Sequence, residues 1–151
     1  MLIATGLEKV YELGPVFRAE KSRTTRHVTE FTGIDFEMAF IKDENDPMDI
    51  IEGMVRHMLE VVKKDCAKEL EMFDVKIQIP EKIPRITMDE ARKMLSAEGK
   101  EVPEDDDFDS EGEKLLGEII KKKLNSDFVF VTRYPWKKKP STLEIIAWKV
   151  D

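Results

Sequence analysis

The sequence is short of cysteine, of basic charge and of long apolar runs, and each shortage excludes something. A single cysteine, Cys66, among 151 residues rules out an internal disulfide and a multi-cysteine zinc site. No apolar stretch approaches the roughly 20 residues a membrane-spanning helix needs. The opening segment, Met1 to Gly6, has neither the length nor the basic lead of a signal peptide. Lys plus Arg number 25 against 32 Asp plus Glu, a net charge of -7. The surface as a whole is therefore no nucleic-acid footprint, and contact with RNA requires a local basic patch. These shortages predict a soluble protein of the reducing cytoplasm.

What is present is enough for a core. Hydrophobic residues make up 41% and charged residues 38% of the chain, which suits one globular domain of ordinary size and not a disordered chain. Met1 to Thr5 reads as the last turn of a helix, with Gly6 in the left-handed position that ends one. Such an ending without a beginning implies further chain upstream. Val10 to Leu13 and Val16 to Glu20 read as strand, with a bulge or edge at Gly14-Pro15 because proline cannot donate to a ladder. After the polar segment Lys21 to His27, a second strand runs from Thr29 to Ile41. Together they predict a hairpin with a long projecting turn.

Asp46 as N-cap and Pro47 at the first helical position predict a helix to about Lys68, with an apolar stripe of Ile50, Ile51, Met54, Val55, Met58, Val61 and Val62. A short strand is expected at Val75 to Ile79. Thr87 with Glu90 predicts a capping box for a helix from Met88 to about Ser96. Ser110 with Glu113 predicts another, for a helix containing Leu115, Leu116, Ile119, Ile120 and Leu124. Asp127 to Thr132 reads as a strand with Phe128 and Phe130 on one face and Val129 and Val131 on the other. The whole is an α+β arrangement: an antiparallel sheet with helices on one face.

The hairpin carries the chemistry. Period two places Val16, Arg18 and Glu20 on one side of the first strand, and Phe31, Gly33, Asp35 and Glu37 on one side of the second. The reverse face of the second strand, Thr32 to Phe40, is almost wholly apolar. A half-solvated sheet with surface ion pairs would explain much of this pattern. Three details point further. Phe31 is an aromatic on the polar face, fit to stack a base. Gly33 leaves room for a ligand to approach the backbone. Arg18 offers a planar fork for phosphate or carboxylate. Arg18, Phe31 and Asp35 are expected to project into one open cavity. Lys21, Arg23, Arg26 and His27 make the loop a local anion site, weighed against a merely solvated charged loop.

Phe17-Arg-Ala-Glu20, Arg26-His27 and Glu30-Phe31-Thr-Gly-Ile-Asp35-Phe-Glu37-Met together resemble motif 2 of the class II aminoacyl-tRNA synthetases, and more narrowly the aspartyl-tRNA synthetases of archaeal and eukaryotic type. Asp109-Ser-Glu-Gly-Glu-Lys-Leu-Leu-Gly117 and Phe128 to Pro135 extend the likeness. It implies an aspartate–tRNA ligase that activates aspartate with ATP and Mg2+ and passes the aspartyl group to tRNA(Asp). Arg18 would hold the α-phosphate and the carboxyl of the adenylate. Glu20, Arg26, His27, Val28 and Phe31 would complete the ATP site. Asp35 would receive the α-amino group of aspartate, where asparaginyl relatives usually carry Glu. Ser22, Arg23 and Thr24 would approach the tRNA acceptor end. The resemblance further implies residues 1–140 as part of a class II catalytic core, 141–151 as an unrelated tail, a homodimer in a full-length relative, and the dimer motif, second ATP arginine and magnesium carboxylates outside this chain. Low activity of the chain alone is expected. The rival reading is a non-catalytic paralogue that binds nucleotide or RNA. Among the remaining residues, His57 and Cys66 read as structural, the methionines as core filler, Asp105 to Asp107 as an acidic surface loop, Lys137 to Lys139 as a solvated run, and Trp136 and Trp148 as covers of a sheet edge.

Overall fold

The computed structural model describes residues 2–19 and 28–135. The chain divides into two compact units, Met1–Pro47 and Met48–Asp151.

The first unit is a hairpin preceded by one helical turn. Leu2–Thr5 forms a 3-10 turn. Gly6 closes it at φ +98°, its N–H donating to the Ile3 carbonyl at 3.1 Å, as the glycine predicts. Strand β1 (Lys9–Phe17) pairs antiparallel with β2 (Glu30–Met38) in one-to-one register, from Lys9 opposite Met38 to Phe17 opposite Glu30. The interruption expected at Gly14-Pro15 is absent, and alternation explains why. Arg18 N–H donates to Thr29 O at 2.9 Å and Ala39 N–H to Glu8 O at 2.8 Å. Even-numbered β1 positions therefore exchange hydrogen bonds with β2, and odd ones do not. Pro15, opposite Thr32, turns its nitrogen to the outer edge, where no ladder bond is lost. The second strand stops at Met38, short of the expected Ile41, and Phe40 adopts φ +57°.

Helix α1 (Asn45–Asp65) starts one residue before the predicted cap. Asp43 Oδ1 accepts the Asn45 N–H at 2.7 Å, while Asp46 turns back to accept the Lys42 N–H at 2.7 Å. Pro47 still lies in the first turn, where its missing N–H costs nothing. The helix breaks at Cys66, and a short helix α2 (Ala67–Met72) follows. Asp74 then takes φ +51°, and the Val75 N–H is engaged by the Leu70 carbonyl at 2.9 Å. That closure uses the backbone with which the expected strand at Val75 to Ile79 would have begun, and no strand forms there.

The strand forms later. β3 (Arg85–Thr87) pairs in parallel with β4 (Phe130–Thr132), joined through helices α3 (Met88–Ala97) and α4 (Ser110–Leu124). A parallel pair needs such a crossover. Thr87 caps α3 with both halves of the predicted capping box in place. At α4 the cap is Asp109, not Ser110: its Oδ1 accepts the Gly112 N–H at 2.7 Å. The helix begins one residue earlier than expected, and the same side-chain bond to the third residue is made from Asp109. Asn125 ends α4 in the left-handed region at φ +50°.

The alternation read in the last strand sorts the core. Val129 and Val131 pack with Ile86, Met88, Ala91, Leu95, Phe108, Leu116, Ile119 and Ile120. Phe130 packs on the other side with Met48, Val55 and Ile83, and half-buried Phe128 joins it. Only one rail of α1 serves this core: Met48, Ile51, Val55 and Leu59. Ile50, Met58, Val61 and Val62, from the expected stripe, stay exposed. Arg85 lies 5.9 Å from the Phe130 ring centroid and pairs with Asp49.

Candidate functional site

The register gives the hairpin two unlike faces. One carries Tyr11, Leu13 and Phe17 of β1 with Ile34 of β2, all exposed. The other carries Glu12, Gly14, Val16 and then Arg18, opposite Asp35, Gly33, Phe31 and Thr29. Side-chain positions bear this out. The Arg18 guanidinium lies over the Phe31 ring, 5.2 Å from its centroid. A Cβ built on Gly33 would lie 2.8 Å from Val16 Cγ2 and 3.9 Å from both Asp35 Oδ2 and Phe31 Cε2. Arg18, Phe31 and Asp35 thus share one face, as period two predicts.

One detail differs from the sequence reading. The space beside Gly33 is filled by Val16, so this glycine serves internal packing and not ligand approach. A recess borders the acidic end of the face. This cavity of about 280 Å³ is lined by Glu12, Asp35, Glu37 and Val10 with Leu2, Tyr11 and Phe36. Arg18 and Phe31 are on the same face but not among the residues lining this recess.

Glu12 is the residue the sequence reading missed. It stands directly opposite Asp35. Counting back in twos from Arg18 through Val16 and Gly14 would have found it. Two carboxylates opposite one another repel; a cation between them reverses the sign of that interaction. Of the other expected site residues, Val28 is exposed just before β2. Glu20, Ser22, Arg23, Thr24, Arg26 and His27 lie outside the described residues, as do Trp136, Lys137 to Lys139 and Trp148.

The second unit has a larger recess of about 900 Å³ lined by Asp49, Glu52, Gln78 and neighbours. Three of its polar side chains are engaged internally: Asp49 by Arg85, Glu52 by the Ile83 N–H at 2.8 Å, and Gln78 by Asn125 O and Lys121. Among the described residues no three carboxylate, imidazole or thiolate groups converge as a metal cage. No helix among them is long and apolar enough to cross a membrane.

Comparison with known proteins agrees with the hairpin. Residues 1–146 match the family of tRNA synthetases class II (D, K and N). The chain is 45% identical over 141 residues to the aspartate–tRNA(Asp) ligase of Pyrococcus abyssi, covering 93% of this chain and 32% of that protein. It is 42% identical to the aspartate–tRNA(Asp/Asn) ligase of Aeropyrum pernix, with 91% and 32% covered. Among solved structures, the aspartyl-tRNA synthetase of Entamoeba histolytica superposes with a TM-score of 0.85 at 36% identity, over 92% of this chain and 30% of that one. The asparaginyl-tRNA synthetase of Pyrococcus horikoshii, complexed with asparaginyl-adenylate, gives 0.78 at 36% identity, over 91% and 31%. The chain therefore spans about a third of the length of the curated relatives it matches. With motif, fold and sequence in agreement, the chain belongs to the class II aminoacyl-tRNA synthetases of the D, K and N group, a family of ligases.

Proposed function

We propose that the Arg18–Asp35 face of the hairpin is the adenylate-binding surface of an aspartate–tRNA ligase. The observation that carries this reading is the Arg18 guanidinium held over the Phe31 ring on the face that also bears Asp35. A ring capped by a cation is ready to take a planar base on its remaining exposed area. The guanidinium keeps its edge donors for phosphate oxygens, which it grips in a fixed fork. Glu12 and Asp35, four to six residues further along the strands, supply negative charge for an ammonium group.

These residues would serve the ligase reaction by binding and orientation. A carboxylate oxygen of aspartate attacks the α-phosphorus of ATP, the bond to the β-phosphate oxygen breaks, and pyrophosphate leaves. Arg18 would sit beside the α-phosphate and stabilise the charge that builds on its oxygens. A ribose hydroxyl at the tRNA end would then take the aspartyl group and release AMP. Mg2+ neutralises the outer phosphates in such chemistry. The described residues offer it no cage, and the contributions of Arg18, Phe31 and Asp35 do not depend on where it is held.

The relatives include proteins named for tRNA(Asp) and for tRNA(Asp/Asn), and a structural neighbour is complexed with asparaginyl-adenylate. Asp35 with Glu12 favours the α-amino group common to both amino acids, and aspartate is proposed from the Asp-type motif. As 151 residues, the chain is expected to bind aspartyl-adenylate analogues while charging tRNA far more slowly than a full-length relative. Calorimetry with a non-hydrolysable aspartyl-adenylate analogue tests the reading. Binding that Arg18→Ala weakens supports it; no binding, or binding indifferent to Arg18, sinks it. An aminoacylation assay in which the chain alone matches a relative would refute the slow-charging part.

A further inference from the structure

Two glycines stand opposite one another at the centre of the binding face, Gly14 on β1 and Gly33 on β2. Glycine weakens a strand interior, because it loses more backbone freedom than other residues and gives no side chain to pack. Each therefore calls for a reason. Gly33 has one within the protein: any Cβ there would collide with Val16 Cγ2 at 2.8 Å. Gly14 has none. Its φ lies outside the left-handed range, and the nearest atom to a Cβ built there is Glu12 Oε1 at 4.0 Å. Neither backbone conformation nor packing among the described residues asks for glycine at that position.

The position itself suggests the reason. Gly14 lies between Arg18 and Glu12 on the same strand and the same face, four residues from the first and two from the second. The cation–aromatic pair lies beyond it on one side, and the paired carboxylates lie beyond it on the other. At about 3.4 Å per residue their backbones are some 13–20 Å apart along the hairpin, but the side chains converge: Phe31 Cε2 and Asp35 Oδ2 each lie 3.9 Å from the Cβ position of Gly33, directly opposite Gly14. An extended molecule with a base at one end and an ammonium at the other must cross the strand between them. The pair's N–H and C=O groups are spent on each other, since 14 is an even, hydrogen-bonded position. What remains at Gly14 is bare backbone, the lowest floor the face has.

Resting on the adenylate-binding reading, we infer that Gly14 sets the depth at which the phosphate-ester linkage of an aminoacyl nucleotide seats between the two halves of the site. A methyl group there would fit the protein but occupy the linkage's place. The position would thus discriminate the joined aminoacyl nucleotide from its separate parts.

Gly14→Ala in the full 151-residue chain tests this against two probes, the aspartyl-sulfamoyl analogue of the adenylate and adenosine alone. The expected result is a melting temperature equal to or above that of the parent, affinity for the analogue reduced about tenfold or more, and affinity for adenosine within twofold. Unchanged affinity for the analogue would overturn the inference while leaving the adenylate-binding reading intact. So would a lower melting temperature or an equal loss for both probes, because either would make Gly14 a purely structural residue. If the parent chain binds neither probe, the reading of the face falls, and the inference with it.

Discussion

The two units divide stability and chemistry between them. Among the described residues of the hairpin unit none is buried, whereas the helical unit holds every fully buried side chain, in two clusters on either side of β4. A two-stranded ribbon has no interior of its own and is marginal in water. It keeps its shape through register and cross-strand pairs, and it leaves both faces accessible. The helical unit buries two apolar clusters and ties part of its polar surface into caps and internal ion pairs, while Ile50, Met58, Val61 and Val62 stay exposed. The proposed binding residues thus sit on the part with least burial.

The sharpest way to break this division is to cut into the core. Phe130→Ala removes the largest fully buried side chain, and a loss of about 3–5 kcal/mol is expected in denaturant unfolding followed by helical circular dichroism. A loss under 1 kcal/mol would mean the helical unit does not depend on this cluster. Next comes the binding face. Arg18→Ala should weaken ATP about 10- to 100-fold by calorimetry without lowering the helical melting temperature, and by more than Phe31→Leu, because a charge-assisted contact outweighs a stack. The reverse order would place the phosphate elsewhere.

A third, smaller effect concerns the α3 cap. Thr87→Ala should cost about 1 kcal/mol, since the hydroxyl and the Glu90 carboxylate satisfy the helix end reciprocally. The same contacts carry a pH signature. The Thr87 N–H, then its hydroxyl, hold the Glu90 carboxyl below its ordinary value. The Lys100 ammonium, then the Gly112 N–H, do the same for Asp109. Glu111 and Asp109 raise the Lys100 ammonium. A depressed carboxylate stabilises the fold above its unfolded value, and that contribution disappears as pH falls through the folded one. The raised lysine contributes fully below its unfolded value and is lost as pH rises through its folded one. The helical unit should therefore weaken in acid below the ordinary carboxylate range. Glu90→Gln should flatten that acid limb in a melting-temperature series, and an unchanged slope would remove the carboxylate from the account. The smallest effect is expected at Leu13→Ala on the exposed reverse face, within about 0.5 kcal/mol and with unchanged ATP affinity.

Much of the molecule was legible from local pattern. Alternation placed Arg18, Phe31 and Asp35 together and assigned Phe128 and Phe130 to a different side from Val129 and Val131, because side-chain direction in a strand depends only on parity. The Thr87–Glu90 cap was legible because its partners are three residues apart. What escaped depends on distant partners or atomic reach. β3 is three residues long and pairs with a strand 45 residues further on, which no local period announces. Asp109 took the cap in place of Ser110; each offers a side-chain oxygen three residues before an N–H of the first turn, and the pattern alone does not choose between them. The assignment of the open space to Gly33 failed because it needed the position of Val16 Cγ2; the unobstructed glycine is its cross-strand neighbour. Glu12 was missed because the count of two was not carried across Gly14-Pro15, where an interruption was expected.

That same proline has an effect on the far side of the strand. Nine consecutive β1 residues would present an outward row of donors and acceptors long enough to recruit a foreign peptide into a growing cross-strand assembly, and no strand among the described residues occupies that border. Pro15 sits in the row with its ring where a donor would be. It splits this border into two shorter stretches, which disfavours the docking of an incoming chain along β1.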